Sequence, residues 1–213
     1  MVNLNDPILA VRVFSENISY EMDQFESYLD TIHLLLKEQK RQIINPYNEI
    51  SQDILKNIAD NFPIILNNSS FLFSYSLLER YLREVSNFIR EQYNYQITCS
   101  DLKGQGITLY KNYLKKYSGF AFPDNSQYWQ DINRYNELRN IIIHNAGEID
   151  NPADQRYAKI KDFIDKNTNI ALNEYNQIII SEEFMREVVR NIRGFLIDFE
   201  KCWMEWTEKN IEK

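Results

Sequence analysis

Apolar residues recur at spacings of three and four along most of the chain, the period of an amphipathic helix. Ile18, Met22, Phe25, Leu29, Ile32 and Leu36 form one such stripe, which predicts a long helix starting near Ser15 with His33 beside its apolar face. A shorter helix around Ile54, Leu55 and Ile58 is expected to end at Pro63, where the ring blocks continuation. Ser69 and Ser70 then offer caps for a third helix through Leu78, Leu82, Val85 and Ile89, with Glu79 set among apolar neighbours.

After Tyr95 the glycines Gly104 and Gly106 mark a turn, and Leu109, Tyr113, Leu114 and Tyr117 predict a helix that closes at Gly119. A loop to Ser126 leads into the next helix, whose core face should include Tyr128, Ile132, Tyr135 and Ile142. Asn151 and Pro152 restart a helix that buries Tyr157, Ile160 and Ile164. Residues 170–180 are the one stretch suited to strands, as a small hairpin turning at Asn173 and Glu174. Ser181, Glu182 and Glu183 open a last long helix through Phe184, Val188, Ile192, Phe195, Phe199 and Trp206. Long helices joined by short links predict an all-α fold, an antiparallel helical bundle, as a single domain over 1–213.

Composition narrows the class. The 213 residues, 44% of them hydrophobic, can bury a core without disulfide or metal staples. No membrane-length apolar run and no leader pattern stand out, and Cys99 and Cys202 lie far apart, so a cytoplasmic protein with reduced thiols is expected. The net charge of −7 argues against coating nucleic acid non-specifically. A local site stays open, because Lys103, Lys111, Lys115 and Lys116 form a run with no acid between them; the plainer reading is an ordinary solvated face.

Little chemistry competes for a site. His33, Cys99, His144 and Cys202 show no metal-ligand spacing, so neither a metal nor any other cofactor is expected. The Gly104-Gln105-Gly106 turn lacks the rest of a phosphate loop. What remains is the stretch from Arg139 to Gly147, which places a permanent cation and a titratable imidazole at the end of one apolar helix. An imidazole can exchange a proton near neutral pH, and a guanidinium can clamp a phosphate as its charge changes. At ~100° per residue the two side chains stand roughly 140° apart on an ideal helix, whereas Asn140 and His144 share a face. Convergence therefore needs the helix to end near His144, where Asn145 and Gly147 tolerate a left-handed turn, or a second chain to complete the site. A purely structural role is also consistent with the residues, with Arg139 satisfying carbonyls and His144 facing the helix dipole.

The phrase Tyr135-Asn136-Glu137-Leu138-Arg139-Asn140, followed after three residues by His144-Asn145-Ala146-Gly147, resembles the Arg-x4-6-His signature of the HEPN superfamily (higher eukaryotes and prokaryotes nucleotide-binding domains). The upstream stretch Leu77-Leu78-Glu79-Arg80-Tyr81-Leu82 is similar to that family's acidic helix. The likeness spans 69–199, with 1–61 as a variable helical extension. Many HEPN proteins are metal-independent endoribonucleases of bacterial toxin-antitoxin and phage-defence systems, acting as dimers whose motif helices meet. The resemblance thus implies an RNA substrate, a homodimer and an antitoxin or regulatory partner. It implies His144 as acid/base, Arg139 as phosphate clamp, Asn140 and Asn145 as supporting or substrate-binding groups, and Glu79 as the residue holding Arg139. The alternative within the family is a non-catalytic dimerisation or partner-binding module. One subgroup is modified at a tyrosine two residues after the histidine; that position is Ala146 in this chain, so such control is not expected.

Overall fold

A computed structural model describes residues 6–43, 54, 60–151 and 154–211. The fold is all-α with one small hairpin: α1 (Pro7–Ile43), α2 (Phe62–Gln92), α3 (Gly106–Lys116), α4 (Gln127–Asn145), α5 (Ala158–Lys166), β1 (Ile170–Leu172), β2 (Ile178–Ile180) and α6 (Glu182–Ile211). The expected helix at Leu55 and Ile58, and the role of Pro152, lie outside the described residues.

Three helix starts differ from expectation, at α1, α2 and α5; α5 begins at Ala158, after a tighter turn over Gln155–Tyr157 that leaves Tyr157 half-buried. α1 begins at Pro7 rather than near Ser15, because Asp6 Oδ1 accepts the N–H groups of Ile8 and Leu9 at 2.9 and 3.2 Å and proline suits the first helical position. α2 begins at Phe62, with Pro63 in its first turn rather than ending the preceding helix. Ser69 therefore lies inside a helix, where its hydroxyl donates back to the carbonyls of Ile65 and Leu66 instead of capping. Ser126 and Ser181 do cap, accepting the N–H groups of Trp129 and Phe184 at 3.2 and 3.0 Å.

The chain divides into two compact units, each assembled from separate segments: 1–22, 76–131 and 191–213 form the first, 23–75 and 132–190 the second. In the first, Leu78, Leu82, Val85 and Ile89 are buried together with an aromatic cluster of Phe120, Phe122, Trp129, Phe195 and Phe199. Tyr128, assigned to the core by periodicity, is 37% exposed, and Trp129 takes the buried place. The Tyr128 ring instead lies on the backbone of Gly194, where an added Cβ would come within 2.4 Å of it. The lysine run belongs to this unit. Lys115 and Lys111 share the Asp124 carboxylate at 2.7 and 3.9 Å, and Lys111 also lies over the Trp129 ring. The hydrogen bond from Lys115 holds the Asp124 carboxyl below its usual range.

The second unit packs Phe71, Tyr135 and Phe184 against one another, with Phe25 and Leu29 of α1 also buried. β1 and β2 pair antiparallel in the register Ile170 to Ile180 and Leu172 to Ile178. Asn173 shapes the connecting turn, its Oδ1 accepting the N–H groups of Tyr175 and Gln177 at 2.9 Å each. The stripe on α1 is buried at Ile18, Met22, Phe25 and Leu29, then drifts so that His33 becomes buried while Ile32 and Leu36 are half-buried. Cys99 and Cys202 are free and half-buried, and burial pushes both thiols up.

Candidate functional site

The motif lies in the second unit, on the last three turns of α4. Ile132, Tyr135, Leu138, Ile141 and Ile142 are buried, which fixes the helix rotation and sends Asn140, Ile143 and His144 to the surface. Arg139 is half-buried at the edge of this face, and its guanidinium donates to Asn140 Oδ1 at 3.1 Å. Since Asn140 is one turn before His144, that bond draws the cation toward the flank carrying the imidazole.

α4 stays helical through Asn145, so the helix does not break between Arg139 and His144. The reversal follows immediately: Ala146 has φ 50° and Gly147 φ 84°, the Gly147 N–H bonds the Ile141 carbonyl at 3.2 Å, and the Glu148 N–H bonds that of Asn145 at 2.9 Å. The left-handed residues are thus Ala146 and Gly147, while Asn145, expected to share that role, is the last helical residue and half-buried. Partners downstream set the position of the turn. The Gly147 carbonyl accepts from the Ile178 N–H at 2.9 Å, and the Ile149 N–H donates to the Asn176 carbonyl at 3.0 Å. The hairpin therefore grips the chain three residues beyond His144.

Glu79, expected to hold Arg139, belongs to the first unit, where it is half-buried and its Oε1 lies 3.6 Å from the position a Cβ on Gly106 would take. The Arg139 guanidinium donates to Asn140, in its own unit.

Three polar residues escaped notice in the sequence. Tyr75 donates its hydroxyl to Asn136 Oδ1 at 2.9 Å, tying α2 to the motif helix. Asn67 is buried and bonded at both ends of its amide, to His33 and to the Ile180 carbonyl. Asn68 follows, with Nδ2 3.8 Å from the position of a Cβ on Gly147. An Asn-Asn pair inside the apolar run Phe62–Phe73 was the available signal, because asparagine is a poor helix-interior residue unless something uses its amide.

A second charged group lies in this unit. Glu182 receives Lys37 at 2.9 Å and Arg186 at 3.0 Å, and Arg186 also reaches Asp30 at 2.7 Å. Burial pushes the Glu182 carboxyl up, yet the hydrogen bonds from Lys37 and Arg186 outweigh it and hold the group below its usual range. Among the described residues, no three His, Cys, Asp or Glu side chains gather as a metal-ligand set.

No protein-family model, curated protein or solved structure matches the chain.

Proposed function

We propose that the chain is a metal-independent endoribonuclease of the HEPN kind, with His144 as acid/base and Arg139 as phosphate clamp. The observation that carries this reading is the end of α4, where an exposed imidazole in the last turn has a guanidinium leaning toward its flank through Asn140. The attacking group would be the RNA's own 2′-hydroxyl, activated by the imidazole, so that cleavage leaves a 2′,3′-cyclic phosphate and a 5′-hydroxyl. Arg139 would neutralise the charge that builds on the phosphate oxygens. Asn140 and Asn145 would serve as substrate-binding or orienting groups.

A two-fold dimer of motif helices is part of the proposal, because regular helix separates Arg139 from His144 in one chain and a second copy completes the set. A cytoplasmic setting, an antitoxin or regulatory protein, and a place in toxin-antitoxin or phage defence belong to the same reading. The second reading, a HEPN-like module kept for dimerisation or partner binding, draws support from Ile143, 45% exposed beside His144.

The test is incubation of the purified protein with single-stranded RNA in the presence of chelator, followed by analysis of the product ends. Cyclic-phosphate ends, lost in His144→Ala by on the order of 10² to 10⁴ in rate, are expected. Full activity in that variant, cutting of DNA, or dependence on added metal overturns the mechanism.

A further inference from the structure

We infer that the buried pair of His33 and Asn67 is a positioning device for the turn that follows His144. Its functional half rests on the ribonuclease reading; its structural half does not. The argument starts from strain. Ala146 holds a left-handed φ of 50°, a conformation that L residues keep only when their surroundings impose it. The imposing element is the hairpin, which bonds Gly147 and Ile149. Yet the hairpin consists of two strands of three residues each, too short to hold its own geometry in water. It needs an outside hold.

Asn67 supplies one. Its Nδ2 donates to the carbonyl of Ile180, the last residue of β2, at 2.8 Å. That use of the amide leaves Oδ1 to accept, and it takes the Nε2–H of His33 at 2.9 Å. His33 Nε2 is therefore the donor in this bond, while buried Nδ1 has no partner. His33 is 6% exposed and Asn67 4%, so water does not compete for either bond. From the next position on α2, Asn68 Nδ2 lies 3.8 Å from where a Cβ on Gly147 would stand. Asn67 thus fixes β2 at Ile180 and, through β2, the turn to which that strand is bonded. An apolar residue at position 67 would fill the space but could not register the strand.

The experiment compares wild type with Asn67→Leu, which keeps the volume, and Asn67→Asp, which keeps an acceptor for His33 but turns an oxygen toward the Ile180 carbonyl. Amide hydrogen exchange should quicken by at least about tenfold at Gly147, Ile149 and Ile178 in both variants, with the amides of Val85 and Ile89 unchanged. Unchanged exchange at those three amides, or an equal loss of protection throughout the chain, overturns the inference. With two histidines in the sequence, the ring spectrum of His144 is readily separated from that of His33, and it should shift in both variants. In RNA cleavage, kcat should fall on the order of tenfold to a hundredfold at unchanged KM, the signature of a misplaced group rather than of lost binding. Quickened exchange with wild-type kcat overturns the functional half alone. A wild-type protein that does not cut RNA overturns the ribonuclease reading and leaves the exchange result to decide the positioning.

Discussion

Ala146 is the residue whose backbone the fold uses against its preference. Glycine carries no penalty at φ 50°, so Ala146→Gly should raise stability by about 0.5–1 kcal/mol, the relief of the left-handed strain less the extra freedom glycine has in the unfolded chain. A denaturant midpoint that rises with unchanged slope checks this; a lower midpoint would mean that the Cβ makes a contact worth more than the strain. Arg139 calls for a different substitution. Lysine keeps the charge and loses the planar fork that bonds Asn140 and that, in the proposed mechanism, would grip the phosphate, so Arg139→Lys should cut RNA about tenfold or more slowly than wild type with an unaltered melting temperature. Equal rates would reduce the role of Arg139 to bulk charge.

Among elements, α6 gives the sharpest sign test. Gly194 is a helix-interior glycine, where alanine would ordinarily gain about 1 kcal/mol, but its missing side chain is the seat of the Tyr128 ring. Gly194→Ala should cost about 1 kcal/mol in the wild-type background, by expelling the ring, and gain about 1 kcal/mol in a Tyr128→Ala background. A double-mutant cycle in denaturant reads the reversal, and the same sign in both backgrounds refutes the seat. At the first turn of α6, Glu182 is held below its usual carboxyl range by Lys37 and Arg186. A depressed folded-state value contributes stability above the unfolded value, near pH 4.3, and loses it as pH falls through the folded one. Glu182→Gln should therefore melt below wild type at pH 7, and the gap should shrink as the pH falls below the unfolded carboxyl value and through the depressed folded one. The elements also show what the sequence could and could not disclose. Stripes such as Leu78 to Ile89 and Phe184 to Phe199 gave their helices and buried faces, since period and burial share one cause. Tyr128 and Trp129 were exchanged because two adjacent aromatics compete for one core position and periodicity does not say which glycine elsewhere will receive the loser. The start of α1 at Asp6 and Pro7 was visible as cap chemistry but masked by the weaker stripe before Ser15. The motif helix and its closing turn were legible; the hold on that turn was not, because Asn67 and Ile180 are far apart in sequence and meet only in the fold.

For the whole molecule, no described helix is long and apolar enough to cross a membrane. The proposed shared site has a stoichiometric test. If one chain lends Arg139 and the other His144, co-folding the inactive Arg139→Ala and His144→Ala variants gives heterodimers with one intact site in two, and activity should return to about half that of wild type per dimer. Verified heterodimers without activity would show that each chain needs both of its own residues, and a cutting monomer would remove the dimer from the mechanism. The division into two units has a consequence for how the protein could have arisen and how it can be taken apart. α1, α2, α4 and α6 each contribute residues to both units, so neither unit corresponds to one uninterrupted stretch of coding sequence. No single crossover could transplant either into another protein, and no single protease cut could release one whole.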